Sequence, residues 1–262
     1  MKILTYIAIL FISVSLKAQN IVKEYTVPKA QQGIAVDKKF FYIINNTSIS
    51  KHCKKEGLQV AVWEDKDSLL KHMNAGVIID NKLFCAHSNF PGTPMVSSIE
   101  IFDPKTLEHI DSHSFGILNG SATWIDKHKG YWYVAFAHYA GYGGLENRNN
   151  SWSKLVKFDS NFRQVESWVF PKELLIKFGK HSSSGGIIFP DGRILCTGHD
   201  NLEAYILEFP SKGSTLQLIE TINIGSYGQG IAREKIGNSD LIYGLIRSEK
   251  KVVVTKINRV KQ

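Results

Sequence analysis

Short apolar runs that stop at a polar residue recur along the chain. Trp132-Tyr133-Val134-Ala135-Phe136-Ala137 stops at His138, Leu83-Phe84-Cys85-Ala86 at His87, and Ile194-Leu195-Cys196-Thr197-Gly198 at His199. Phe41-Tyr42-Ile43-Ile44-Asn45 leads to Asn46, and the run 242–246 leads to Arg247. Runs this short and this rich in aromatic and β-branched residues read as buried strands. A small turn and a shorter apolar strand precede each of them, at Gly33-Ile34, Gly76-Val77, Gly120-Ser121, Gly186-Ile187 and Gly230-Ile231. These turns lie roughly 44 residues apart, except in the third interval, which is longer by about 22. A period near 40–45 with four strands per unit is the spacing of propeller blades.

The strands of each unit follow from the same pattern. Blade two is predicted to hold strands at 76–80, 83–86, 98–102 and 107–115, with the turn Asp103-Pro104-Lys105-Thr106 before the last. Blade four repeats this at 186–189, 193–197, 203–209 and 215–224, around the turn Pro190-Asp191-Gly192. The fifth unit has only 230–233, 241–246 and 252–257 before the chain stops, and its missing outer strand is available at 20–27. Borrowing that strand removes two exposed sheet edges. The predicted fold is therefore all-β: a five-bladed β-propeller whose N-terminal strand closes the last blade. The long interval holds a Gly- and Asn-rich loop, 139–151, and a helix-like segment, 170–179, with Pro171 at its start and Gly179 at its end. Both insertions are expected on the face that carries the polar strand ends, either as a lid over the central opening or as tolerated surface additions.

Composition narrows the setting. Residues 1–18 have a lysine, Lys2, before an apolar run and end in Leu16-Lys17-Ala18, the pattern of a secretory signal peptide; a buried N-terminal helix is the alternative. Residues 19–262 are expected to form one domain, exported to the periplasm or secreted, with no transmembrane segment after processing and acting as a monomer. The formal charge of +8 is spread over scattered lysines, a solvated surface rather than a nucleic-acid footprint, so no nucleic-acid partner is expected. Cys53, Cys85 and Cys196 are too few and too odd in number for a disulfide framework. Cys85 and Cys196 lie inside apolar strands and are predicted to be buried thiols.

Propeller geometry gathers two rings of side chains on one rim. Second-strand ends supply Asn46, His87, His138, His199 and Arg247, and first-strand entries supply Gln32, Asn74, Asn119, His181 and Gln229. Packing favours apolar residues at such positions, so three equivalent histidines call for another reason. Three readings stay open. One is a site for a divalent metal ion (Zn, Mn or Ca) on His87, His138 and His199. Another is a metal-free acid/base site with His181, His138 and His199 as catalytic residues. The third is a structural polar plug. In the two catalytic readings Gln32, Asn46, Asn119, Tyr139, Asp200, Gln229 and Arg247 bind a small polar or carbohydrate ligand, with Tyr142, Trp152 and Tyr227 bordering the opening. No Gly-x-Ser-x-Gly elbow accompanies His181-Ser182, and no central carboxylate pair argues for ordinary glycoside hydrolysis.

Several segments carry a resemblance. Gly120-Ser121-Ala122-Thr123-Trp124-Ile125-Asp126, Phe136-Ala137-His138-Tyr139, Trp152-Ser153-Lys154-Leu155-Val156, Phe178-Gly179-Lys180-His181-Ser182, Cys196-Thr197-Gly198-His199-Asp200 and Gly228-Gln229-Gly230-Ile231-Ala232 resemble a group of exported bacterial propellers that often carry the name cycloisomerase. That resemblance implies a five-bladed propeller and lyase or isomerase chemistry on a sugar-derived substrate. Gln32-Gly33-Ile34 is also similar to the first-blade Gln-Gly-Leu of the plant-type glutaminyl cyclases, which are five-bladed and cyclise an acyl group. Where they have Tyr-Glu-Ser-Thr, this chain has Ile44-Asn45-Asn46-Thr47-Ser48, without the glutamate. The histidine-rich rim further resembles the metal site of propeller polysaccharide lyases, which neutralises a uronate carboxylate during β-elimination. The expectation from the sequence is an exported lyase or isomerase, and the rival is a propeller that binds a glycan or peptide without catalysis.

Overall fold

A computed structural model describes residues 20–258; the expected signal peptide lies outside the described residues. Twenty strands form five four-stranded antiparallel sheets. Strand β1 (Ile21–Thr26) comes first in the chain and is used last. Blade one is β2 (Gly33–Val36), β3 (Phe40–Asn45), β4 (Ser48–Cys53) and β5 (Gln59–Glu64). Blade two is β6 (His72–Ile79), β7 (Lys82–Ser88), β8 (Ser97–Phe102) and β9 (His109–Gly116). Blade three is β10 (Ser121–His128), β11 (Tyr131–Ala137), β12 (Lys154–Phe158) and β13 (Gln164–Val169). A short helix α1 (Lys172–Phe178) precedes blade four, which is β14 (Gly185–Ile188), β15 (Ile194–Thr197), β16 (Glu203–Glu208) and β17 (Gln217–Asn223). Blade five is β18 (Ala232–Ile236), β19 (Ser239–Ile246), β20 (Lys251–Asn258) and, on its outside, β1.

The ring closes as the sequence predicts. β1 runs antiparallel to β20 with Tyr25 opposite Val252 and Lys23 opposite Val254. Beyond the strand ends, Val27 N donates to Lys250 O at 2.7 Å and Lys256 N to Asn20 O at 2.8 Å. The inner strands β2, β6, β10, β14 and β18 touch one another in cyclic order, the contact pattern of a closed five-bladed β-propeller.

The apolar runs of the second strands follow from this packing. Each blade is covered on both faces, so successive residues point into different cores. Phe41 and Ile43 of β3 pack with Leu245 and Val252 of blade five, while Tyr42 and Ile44 pack with Leu83 and Cys85 of blade two. Each such side chain contributes roughly 1.5–3 kcal/mol when fully buried. The outer strands β5 and β17 instead alternate exposed and partly buried positions, because only one of their faces meets a neighbour. Cys85 and Cys196 are free and buried, and burial pushes the Cys196 thiol up to about 12.

At one level of the axis the inner strands converge until their backbones meet. A Cβ on Gly230 would lie 2.7 Å from both Gly33 Cα and Ala75 Cβ, and one on Gly33 would lie 2.7 Å from Ala75 Cα. Gly230 N also donates to Gln32 O at 3.0 Å. Only glycine allows this approach. The axis is thereby closed, and the side chains on either side of it belong to separate openings.

Most strand starts fall within two residues of the predicted ones, as for β18, which begins at Ala232 rather than Gly230. β6 is the exception: it begins at His72, well ahead of Gly76, with a bulge between Met73 and Gly76. The bulge absorbs the extra residues, so the apolar period that marks the strand only becomes regular after it. Among the described residues no helix is long and apolar enough to cross a membrane.

Candidate functional site

His181, His199, Asp200 and Arg247 meet on the rim where second strands end and first strands begin. His181 follows α1, and its amide donates to Phe178 O at 3.1 Å, so the helix end sets its position. His199 lies just beyond β15. The two imidazoles stack with centroids 3.9 Å apart and planes 17° apart. His199 Nδ1 is 2.5 Å from Asp200 Oδ1, and Arg247 Nη1 is 3.4 Å from His199 Nε2. A guanidinium only donates, so Nε2 is the acceptor and Nδ1 carries the proton given to Asp200. His181 Nε2 lies 3.9 Å from Asp200 Oδ2. Burial holds His181 below the usual imidazole range, helped by the charges of His199, Arg247 and Lys180 and opposed by Asp200.

Two further histidines stand near this group. His72 was not among the residues predicted from the sequence, because the bulge hides the start of β6. Its ring lies 5.0 Å from that of Phe90, and burial, with His87 and Arg247 nearby, lowers it to about 4. Phe90 in turn meets Tyr139 at 5.0 Å and Tyr142 at 5.7 Å, an aromatic shelf beside the imidazoles. His138 is 2% exposed; its amide donates to Ser153 Oγ at 3.0 Å and its ring to the Asn119 carbonyl. Burial lowers it to about 4, with Arg148 and Lys154 adding to the effect. His138 Nδ1, Ser182 Oγ and Gln229 Nε2 are all buried beneath the rim without a hydrogen-bond partner. Buried polar atoms are rarely left so, and each marks a place where a ligand or ordered water is expected.

The metal set predicted from the sequence is not the set brought together. Among the described residues the only group of His, Cys, Asp and Glu with metal-ligand spacing is His181, His199 and Asp200, their donor atoms within 4.8 Å of one another. His87 turns into blade two instead. Its Nε2 accepts from Lys71 N at 3.1 Å and its Nδ1 meets Ser98 Oγ at 2.8 Å, which leaves no lone pair for an ion. His138 is buried and lies outside that group. Of the predicted ligand-binding residues, Arg247 and Asp200 belong to the cluster. Tyr139 belongs to the shelf, Asn119 offers its carbonyl to His138, and Asn46 is exposed with its carbonyl accepting from Met73 N at 3.0 Å. Gln229 is buried and its carbonyl accepts from Thr197 Oγ1 at 2.6 Å. Gln32 is half-buried and contributes its carbonyl to the axial closure.

The two insertions form one cap. Asn150 Nδ2 donates to Leu175 O at 3.0 Å and Gly179 O at 2.8 Å, and Ala140 N donates to Lys180 O at 3.1 Å. Leu174 and Phe178 anchor α1 in the core between blades three and four. At its other side the loop packs Gly143 against the Phe90 ring, so it bridges blade two to α1 and covers the strand ends where His138 sits.

No family model matches the chain, and no curated protein does. Among solved structures the chain is similar to Kuenenia stuttgartiensis hydrazine synthase, at 11% identity and a TM-score of 0.50 over 87% of this chain and 70% of that one. It is also similar to a luciferin-regenerating enzyme, at 9% identity and a TM-score of 0.47 over 90% and 93% of the two chains. The WD40 β-propeller domain of Doa1 matches at 10% identity and a TM-score of 0.45 over 85% and 77%. These likenesses concern the fold alone.

Proposed function

We propose that the rim is an active site for a small anionic, polyhydroxylated substrate, and that the chain is an exported lyase or isomerase of the cycloisomerase-like kind. The observation that carries this is His199 held between Asp200 and Arg247. Asp200 orients the imidazole and stabilises the imidazolium that forms when Nε2 takes a proton. Arg247 would bind a substrate carboxylate or carbonyl oxygen beside that same nitrogen. When the C–H bond next to the carbonyl breaks, its electron pair moves onto the oxygen, where the guanidinium offsets the charge. Return of the proton to a neighbouring carbon gives isomerisation; departure of a β-hydroxyl gives elimination. His181, stacked on His199 and held neutral, is placed to pass the second proton. The Phe90, Tyr139 and Tyr142 shelf suits the apolar face of a sugar ring.

A metabolite screen by mass spectrometry tests this reading, comparing wild-type protein with His199→Ala. A sugar-derived acid consumed or converted only by the wild type is expected. If both proteins bind a glycan or peptide equally well and convert nothing, the propeller is a receptor and the catalytic reading falls.

The spacing of His181, His199 and Asp200 supports a second reading, in which these three hold a divalent ion that polarises the same substrate oxygen. The guanidinium facing His199 Nε2 disfavours a cation there, which favours the metal-free reading. Titration of Zn, Mn or Ca against wild type and His181→Ala separates the two.

A further inference from the structure

A cavity lies away from the histidine rim, at the other end of the axis. It has a volume of about 450 Å³, within the roughly 300–1,000 Å³ of ordinary ligand pockets. The backbone contact of Gly33, Ala75 and Gly230 closes it from the rim, so it is a blind chamber. Most of its exposed lining is polar, and Val36, Ile79, Ile125 and Ile188 add an aliphatic patch. The Lys127–Asp80 ion pair, 3.1 Å long, joins blades two and three beside it.

Two charged side chains of opposite sign line these walls without bonding to each other. Asp126 of β10 accepts from Ile188 N at 2.7 Å and Lys127 N at 2.8 Å, one bond on each oxygen. Each carboxylate oxygen keeps a further acceptor site. Arg233 of β18 lies over the Phe189 ring at 5.6 Å, and its Nη1 is buried without a hydrogen-bond partner, 3.8 Å from Asp240. The two groups flank the end of the same inner strand, Asp126 at Ile188 and Arg233 at Phe189. A chamber with a fixed acceptor on one wall, a fixed donor on another and an aliphatic patch fits a molecule with both charges and a small aliphatic body.

We infer that this chamber is a second ligand site, separate from the rim, which binds an α-amino acid with an aliphatic side chain. The carboxylate would face Arg233, the ammonium Asp126, and the side chain the Ile79, Ile125 and Ile188 wall. Burial raises Asp126 to about 6, so near neutral pH it is an anion that a bound cation stabilises. Calorimetric titration with L-leucine, 4-methylpentanoate and 3-methylbutylamine tests the inference, since the last two each lack one charge. Leucine is expected to bind at least about tenfold more tightly than either, as the loss of one charged contact predicts. Arg233→Met should abolish the preference for leucine over the amine, and Ile79→Trp, which fills the chamber, should abolish binding; circular dichroism verifies that each variant folds. Leucine that fails to bind the wild type, or binds both folded variants as well as the wild type, overturns the inference.

Discussion

Two regions of this propeller are built from two histidines and a carboxylate each, and they do different things with them. In blade two, His87 Nδ1 meets Ser98 Oγ, whose hydroxyl donates to Glu100 Oε1 at 2.5 Å. Ser112 Oγ donates to the same oxygen at 3.1 Å, and His109 Nε2 meets Glu100 Oε2 at 2.8 Å. With Lys71 N on the remaining nitrogen of His87, both of its ring nitrogens are engaged, and the Glu100 side chain is 5% exposed. On the rim, Asp200 is 67% exposed, His199 31% and His181 42%, and the partner facing His199 Nε2 is a loosely held guanidinium at 3.4 Å. The first group is a ladder across neighbouring strands, where side chains on one face satisfy one another. The second stands at strand ends, where a side chain has fewer neighbours and keeps capacity for a ligand. The lesson is that unused lone pairs, rather than the number of imidazoles, mark a site.

The largest effect should come from the rim. His199→Ala is expected to lower turnover of the screened substrate by about 100- to 10,000-fold, the usual share of a positioned acid or base. Its effect on unfolding free energy should stay within about 0.5 kcal/mol, as for an exposed side chain. Steady-state kinetics together with urea unfolding would show both. A variant that loses stability but keeps turnover would reverse the assignment of the two regions.

The blade-two network should show the opposite split. Glu100→Ala removes the acceptor of three donors, of which Ser98 Oγ is buried and those of His109 and Ser112 are partly exposed, and is expected to destabilise the fold by about 1–3 kcal/mol. Turnover of the folded variant should remain within about twofold of wild type, because none of these groups touches the rim cluster. A loss of activity in fully folded Glu100→Ala would mean that the network communicates with the rim and that the contrast is false.

How much of this was visible beforehand depends on periodicity. The blades were legible because Phe41-Tyr42-Ile43-Ile44 and its counterparts must fill the cores on both sides of a blade, which leaves an apolar signature in the sequence. The closing strand β1 was legible from a count of strands in the last blade. His181, His199 and Arg247 could be placed on one rim by equivalence between blades, and so could His87. Equivalence gives position along the strand but not side-chain direction, and cross-strand partners decide the rest. Ser98 and Glu100 capture His87, and nothing in the repeat pattern announces that. His72 escaped because the bulge in β6 breaks the two-residue period just where the strand begins. The Asp126–Arg233 chamber was hidden as well, since it depends on which side of each inner strand faces the axis.

His138 is the case between the two regions, more deeply buried than His87 but with Nδ1 unpartnered as on an open site. Its titration therefore sharpens the comparison, with a smaller effect. The folded-state value is lowered to about 4, whereas an unfolded histidine titrates near 6.5. Above 6.5 the imidazole is neutral in both states and pH has no effect through it. As pH falls below 6.5 the unfolded chain takes up a proton that the folded chain refuses until about 4, so stability drops across that window and levels off beneath it. Between pH 6.5 and 5.5 this amounts to about 1 kcal/mol. Urea unfolding at those two pH values should show wild type losing about that much more than His138→Gln, which cannot titrate. Parallel losses in the two proteins would mean that a proton does reach Nδ1 in the folded state, and that His138 belongs with the satisfied histidines of blade two.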